Sequence, residues 1–229
     1  MYSIVDLEAT GGKFNEESII EIAIYKYDGE KVVDQFISLV NPDKEISPYV
    51  EKLTGIDAKM VKTAPVFSEL AKRIIEITDS TILVAHNAQF DYRLLQIEFD
   101  RLGYEYIKES LCTVILSQKL LPNQESYKLG KLVKNLGIPI SQRHRASGDA
   151  KATVELFKLL IQKDIDKQII SKNIVTYLGQ NVRSVFNRII EDVKNETGVF
   201  YIYNHYNEII YIEASKNIKN RINRLFTSN

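Results

Sequence analysis

The sequence predicts an α/β fold, a mixed sheet flanked by helices, with a small β-hairpin and helix at its C-terminal end. Strand-like runs crowd the first forty residues, helical and strand periods alternate from about residue 70 to 161, and two more short strands follow residue 197. Antiparallel strands followed by alternating helices and strands give a sheet with helices on its faces. A chain of 229 residues can fill one domain of about 150 residues and a smaller second one.

The first strand is the apolar run Ser3-Ile4-Val5, and two more cover 19–27 and 31–40. Asp28-Gly29 between those two tolerates positive φ and predicts a hairpin. Leu70, Ile74 and Ile77 recur at helical spacing, and Thr81-Ile82-Leu83-Val84 after them reads as a short buried strand. Phe90, Leu94, Leu95 and Ile97 predict a helix ended by Gly103. Leu129, Leu132, Val133 and Leu136 predict another, closed by Gly137 and Pro139. Val154, Leu156, Phe157 and Leu160 mark a last helix over 150–161, which completes a first domain of residues 1–163. Residues 164–196, polar with scattered Ile and Val, are expected to form a helical linker. Residues 197–229 form the last unit: Val199 to Tyr203 and Ile209 to Ile212 as a hairpin around a turn at Asn204 to Asn207, then a helix spaced by Ile218, Ile222 and Leu225.

Charge is balanced, with 30 basic and 30 acidic residues, so no global positive field advertises a nucleic-acid partner. The basic patch is local: residues 214–229 hold Lys216, Lys219, Arg221 and Arg224 and no acid. One cysteine, Cys112, excludes an intramolecular disulfide and a cysteine-based zinc site, and it suits a reducing compartment, with the cytoplasm as the default. The N-terminus opens directly into the first strand, and no segment approaches eighteen consecutive apolar residues, so neither secretion nor membrane spanning is expected.

Asp6 and Glu8 lie two residues apart at the end of the first strand, where period-two geometry points both carboxylates to one face. Alone the pair is an ordinary solvated strand end. Asp91 follows the 81–84 strand at the start of a helix, where a single acid is favoured by the helix dipole. Asp149 begins the last predicted helix and reads equally as a cap after Ser147-Gly148. His144 precedes it by five residues in a loop between Arg143 and Arg145.

Taken in order, the set has a stronger meaning. Asp-x-Glu after a first strand, Asn-Ala-x-Phe-Asp after a later one and His-x-x-x-x-Asp before a final helix resemble the three motifs of the DEDDh 3′→5′ exonucleases. That family includes the proofreading epsilon subunit of bacterial DNA polymerase III. Ile19-Ile20-Glu21-Ile22, Leu53-Thr54-Gly55-Ile56 and Cys112-Thr113 add to the likeness, which covers residues 1 to about 163. It implies a ribonuclease-H-like sheet and stepwise release of nucleoside 5′-monophosphates, with single-stranded or frayed DNA 3′ ends as substrate. A polymerase or repair complex would be the partner, in DNA replication or repair.

Phosphodiester hydrolysis asks for these residue types on its own terms. Charge developing on the phosphorus oxygens must be neutralised, water activated and the leaving 3′ oxygen stabilised, which two Mg²⁺ or Mn²⁺ ions can do together. Such hard ions select oxygen ligands, as in a carboxylate cluster without cysteine. The resemblance implies that Asp6 bridges both ions, that Glu8 and Asp149 complete the first, and that Asp91 holds the second directly or through water. It makes His144 the general base, whose unperturbed pKa near 6.5 suits that task at cellular pH. It also places Ala9 and Thr10 against the terminal nucleotide, with Leu53 or Phe90 as an apolar wedge. That Leu53 and Phe90 belong to the core instead is an open alternative.

At the other end, Gly198-Val199-Phe200, Tyr211-Ile212-Glu213 and Ser215 to Arg221 resemble the start of a GIY-YIG nuclease domain. Tyr211 and Arg221 match catalytic positions of that family. Phe200 replaces the first motif's tyrosine, Glu213 replaces the second motif's glycine, and the metal-binding glutamate does not follow. The unit reads as an inactive or truncated remnant that binds nucleic acid or a partner, or as a plain packing module. His205 falls in the hairpin turn and needs no functional role. Two alternatives to the DNA exonuclease stand beside it: an exoribonuclease that trims RNA 3′ ends, since the motifs do not distinguish the sugars, and a non-catalytic nucleic-acid-binding subunit of a repair complex.

Overall fold

The computed structural model describes residues 1–176, 190, 193–203 and 208–227. They fall into two compact units that divide between Gly179 and Gln180. Among the described residues no helix is long and apolar enough to cross a membrane.

The first unit is a six-stranded sheet with helices on both faces. Its strands are β1 (Tyr2–Ala9), β2 (Ile19–Tyr27), β3 (Val32–Leu39), β4 (Ile82–Ala85), β5 (Glu109–Cys112) and β6 (Val175–Thr176), in the spatial order β3-β2-β1-β4-β5-β6. β2 runs antiparallel to both β1 and β3, as the turn at Asp28-Gly29 predicts, whereas β4 and β5 continue the sheet in parallel with β1. The helices are α1 (Pro48–Thr54), α2 (Ala58–Lys62), α3 (Phe67–Thr78), α4 (Ala88–Arg101), α5 (Thr113–Leu120), α6 (Leu129–Asn135), α7 (Ala146–Lys163) and α8 (Gln168–Lys172).

The alternation of side chains along β1 divides the core. Val5 and Leu7 face one side, where they join Ile22 and Ile24 of β2, Ile74 and Ile77 of α3, and Leu94, Leu95 and Phe99 of α4. Ile4 faces the other, with Ala23, Val84, Leu132 and Val133 of α6, and Leu156, Phe157 and Leu160 of α7. Asp6 and Glu8 share the face of Ile4. The α7 side of β1 is thus apolar at its start and acidic at its end.

Three boundaries differ from the sequence reading. β1 extends past the apolar run at Ser3-Ile4-Val5 to Ala9, so Asp6 and Glu8 lie within its second half, toward the end where they were expected. α7 begins at Ala146, not 150, so Asp149 lies inside the first turn with Arg145 at the N-cap. Beyond Lys163, the short α8 leads into β6, whose Val175 pairs antiparallel with Ser110 of β5 and accepts a hydrogen bond from its hydroxyl at 3.0 Å. The rest of the expected linker, apart from 190 and 193–196, lies outside the described residues. The sequence reading also lacks the helices α1, α2 and α5 and the strand β5; of these, α1 starts where the Ser47 hydroxyl accepts the Val50 N–H, with Pro48 in its first turn, and ends at Gly55 with φ of 71°.

The second unit is an antiparallel hairpin of β7 (Gly198–Tyr203) and β8 (Ile209–Ser215), followed by α9 (Ile218–Thr227). The predicted turn at Asn204 to Asn207, with His205, lies outside the described residues.

Phe157 anchors the α7 layer: it is fully buried and meets the Tyr2 ring edge-on at 4.9 Å. Phe157→Ala is expected to lower unfolding stability by about 3–5 kcal/mol, the usual cost of truncating a core phenylalanine. Urea denaturation followed by far-UV circular dichroism measures it, and a loss under about 1 kcal/mol would mean that this layer does not hold the sheet.

Candidate active site

β1 outruns its parallel neighbour. Their register extends only from Tyr2 opposite Ile82 to Ile4 opposite Val84, and β4 stops at Ala85. Past that point the backbone of β1 has no strand partner on this side. The chain turns through Asn87, whose φ of 79° is left-handed, and begins α4. The first turn of α4 brings Asp91 into the gap, where its Oδ1 accepts the Leu7 N–H at 3.0 Å. A buried amide without a partner is costly, so this bond fixes the carboxylate between Asp6 and Glu8 in sequence.

α7 supplies the fourth acid from the opposite layer. One carboxylate oxygen each from Asp6, Glu8 and Asp149 lies within 4.8 Å of the others. Asp91, only 3% exposed, stands outside that trio but acts on Asp6 through its charge. Asp149 Oδ2 accepts the backbone N–H of His144 at 3.1 Å. Its Oδ1 is buried and has no hydrogen-bond partner among the described residues; Arg143 Nε, at 3.6 Å, is too distant for one. His144 itself is half-buried and has φ of 59°, a left-handed backbone that turns its amide back onto Asp149. The loop is pressed against the helix, for a Cβ at Gly148 would run into the carbonyl oxygens of Ser141 and Gln142.

The electrostatics follow from burying like charges together. Burial pushes Asp6 well above the usual carboxylate range, and Asp91, Asp149, Glu8 and Glu21 each push it further. Glu8 is raised to about 7 by burial, then Asp149 and Glu21, against the pull of Arg145 and Arg143. Burial also raises Asp91, although the Leu7 amide opposes it, and raises Asp149 against the His144 amide, Arg143 and the His144 ring. Oxygen donors crowded this way, one of them an orphan, fit a divalent cation, which would supply the missing partner and relieve the repulsion.

One residue that positions the site has no role in the sequence reading, where it stands only in a strand and in the family likeness of Ile19-Ile20-Glu21-Ile22. Glu21 sits opposite Glu8 in the β1–β2 register and is buried. It takes three bonds from Arg145, two from Nε at 3.1 and 3.0 Å and one from Nη2 at 2.6 Å, and accepts the Ala146 N–H at 2.7 Å, so it caps α7 from the neighbouring strand. This clamp lies between Asp149 in the first turn of α7 and His144 in the loop before it. Only the buried position of a charged residue in Ile19-Ile20-Glu21-Ile22 signalled it.

The expected substrate residues are arranged unevenly. Ala9 and Thr10 are buried, and the Thr10 hydroxyl is occupied with the Ser18 N–H at 3.1 Å and the Gly11 carbonyl at 3.0 Å. Leu53 and Phe90 are 39% and 37% exposed, so both present surface. His86 spends its ring nitrogens on the Thr113 hydroxyl at 2.9 Å and the Tyr127 carbonyl at 2.8 Å, which ties the β4 end to α5 and the loop before α6.

The profile of the Exonuclease family matches residues 3–157, a span that holds all four acids and His144. The chain belongs to the Exonuclease family. It is 38% identical over 162 residues to a PolC-type DNA polymerase III of Caldanaerobacter subterraneus, covering 71% of this chain and 12% of that protein. It is 31% identical over 214 residues to the 3′-5′ exonuclease DinG of Staphylococcus saprophyticus, covering 92% of this chain and 24% of that protein. The chain therefore spans a quarter or less of the length of these relatives. Among solved structures, exonuclease X in complex with 5′ overhanging duplex DNA superposes with a TM-score of 0.61 at 28% identity, over 75% of this chain and 98% of that one. The nuclease domain of 3′hExo, a DEDDh family member bound to rAMP, shares the fold, with a TM-score of 0.64 at 19% identity over 78% of this chain and 96% of that one. The ribonuclease-H-like sheet expected from the motifs is the fold of this Exonuclease chain.

In the second unit, Tyr211 and Arg221 are both tied to Glu213. The tyrosine hydroxyl donates to Glu213 at 2.6 Å, and Arg221 Nε donates to both its oxygens at 2.8 and 3.0 Å.

The raised Glu8 carboxyl makes a stability prediction with a definite sign. An unfolded glutamate titrates near pH 4.3, so between that pH and about 7 the folded state binds more protons than the unfolded one. Stability contributed at this site therefore falls as pH rises through that window, and the penalty is complete above it. Glu8→Gln removes the penalty. In chelator, the variant is expected to gain melting temperature over wild type at pH 8 but not at pH 4.5, by scanning calorimetry. Parallel melting curves across pH would show that Glu8 is not held in its neutral form.

Proposed function

We propose that this Exonuclease domain hydrolyses nucleic acid stepwise from a 3′ end, releasing nucleoside 5′-monophosphates from single-stranded or frayed DNA. The observation that carries the reading is the buried Asp149 oxygen beside Asp6 and Glu8, which has no hydrogen-bond partner among the described residues and whose ion-pair partner Arg143, at 3.6 Å, is too far away to donate one. Asp6, Glu8, Asp149 and Asp91 would hold two divalent ions, Mg²⁺ or Mn²⁺, which supply charge neutralisation and acidify water. The PolC-type and DinG relatives support a place in replication or repair, with a polymerase or repair complex as partner.

The chain's own groups then divide the work. Asp91 and Asp149 are fixed by the Leu7 and His144 amides, so they present set oxygens rather than searching for them. His144, on the loop against α7, takes the proton of the attacking water as a neutral imidazole. Ala9 and Thr10 line the end of β1 where the terminal nucleotide sits, and Leu53 and Phe90 present apolar surface to its base. The C-terminal unit is a non-catalytic remnant similar to the GIY-YIG nucleases: a carboxylate, Glu213, occupies the tyrosine and arginine that such a site would turn toward a phosphate.

Two outcomes test this. With Mn²⁺ and an oligonucleotide labelled at its 5′ end, wild type is expected to give a ladder shortening from the 3′ end, and Asp6→Asn to retain less than a tenth of the rate. Immediate release of the label as a mononucleotide without a ladder, or an unimpaired Asp6→Asn, refutes the assignment. His144→Gln is expected to slow single-turnover cleavage by about 10²–10⁴, with Mn²⁺ affinity unchanged by calorimetry. If the pH–rate limb of wild type survives in His144→Gln, a group other than His144 takes the proton.

A further inference from the structure

Beside the acidic cluster the surface carries an aromatic group that the chemistry above does not use. Phe14, in the loop between β1 and β2, is 70% exposed, far more than a phenylalanine gains from any packing role. The Arg93 guanidinium lies over the Phe14 ring at 4.4 Å and over the Phe90 ring at 5.7 Å. Phe90 and Arg93 are one turn apart on α4, and Phe90 immediately precedes Asp91.

This arrangement is held rigidly. Arg93 is clamped by Glu17 through two bonds of 2.9 Å and by Asn15 at 3.1 Å, in an ion pair whose side chains are 15% and 11% exposed. The loop itself is tied down at its far end, where Arg101 donates to the Ser18 hydroxyl at 2.8 Å and to the Glu17 carbonyl at 2.9 Å, and Lys44 donates to the Glu16 carbonyl at 2.8 Å. One face of Phe14 is thus backed by a flat, charge-neutralised guanidinium while the ring stays open to solvent. Exposed aromatic rings on a fixed support are what single-stranded nucleic acids stack on, because every base offers a π-face.

We infer that Phe14, backed by Arg93 and continuous with Phe90, is a stacking platform for one nucleobase of the single strand entering the site. The inference rests on the proposed exonuclease reading and names a binding contact for it. It predicts no base preference, since stacking reads the ring face and not its edge.

The test is an abasic scan. Oligonucleotides with one abasic position, moved stepwise from the 3′ end, are compared with the intact strand for binding to wild type, Phe14→Leu and Phe14→Trp, in Ca²⁺ to hold the complex without turnover. Thymidine 5′-p-nitrophenyl phosphate, which offers no neighbouring base, serves as the control substrate with Mn²⁺. Wild type is expected to lose about tenfold in affinity at one position. Phe14→Leu, which keeps apolar bulk but no π-face, loses a similar factor with the intact strand and no more when that base is missing. Phe14→Trp restores the penalty, and all three proteins cleave the control at equal rates. If Phe14→Leu shows the same abasic profile as wild type, the platform is refuted while the exonuclease reading stands. If wild type fails to cleave the control or any strand, it is the exonuclease reading that fails.

Discussion

The active end of the molecule depends on one mismatch in strand length. β1 continues past Ala85, where β4 gives way to the turn into α4, and an unpaired backbone amide is left at Leu7. A carboxylate fills that place. Had β4 run as far as β1, the ladder would have closed on itself, and Asp91 would have had neither room nor reason to approach the strand. The same truncation frees the Asp6 and Glu8 ends of β1 from a second neighbour, so the acidic face opens where the parallel part of the sheet ends. Crevices at such strand ends are where ligands sit in α/β sheets generally.

Crowding four carboxylates there works against the fold, and the structure offsets this with clamps outside the cluster. Glu21 is itself an acid and raises Asp6 and Glu8, yet it brings Arg145 with it, and that guanidinium pulls Glu8 down. The same pair caps α7, between Asp149 and the loop bearing His144. Gly148 serves the arrangement by having no side chain, which lets the 141–142 backbone pass directly over the helix. Packing and charge are therefore coupled: the ion pair that moderates the repulsion is also the one that sets the geometry.

Much of this was legible in residue order. Period-two alternation placed Asp6 and Glu8 on one face, and motif spacing brought Asp91, His144 and Asp149 into one set. Ordering them along the chain cannot show what holds them. α7 was read four residues too short because its cap comes from Glu21 on a strand more than a hundred residues earlier, and Arg145 is no local cap signal. β6, two residues long, is a strand only because β5 offers it a ladder. Ser47-Pro48 and Gly55 around α1, by contrast, are ordinary start and stop signals, available in the sequence but passed over because the helix is short. Phe14 shows a different limit. An aromatic residue in a polar loop is as often buried as exposed, and only the Arg93 and Glu17 contacts decide which.

The proton and the divalent cation compete for the same oxygens, and this links the resting charge of the site to its chemistry. With Asp6 and Asp91 raised by burial and Glu8 raised to about 7, a cation binding these oxygens would compete with protons for them. Cation binding would therefore strengthen as pH rises. Asp149 is raised by burial as well, and its buried Oδ1, which has no hydrogen-bond partner among the described residues, would give up no hydrogen bond to a cation. Raised acids hold their protons tightly, so the cluster favours its neutral form until a positive group offsets the repulsion among the carboxylates.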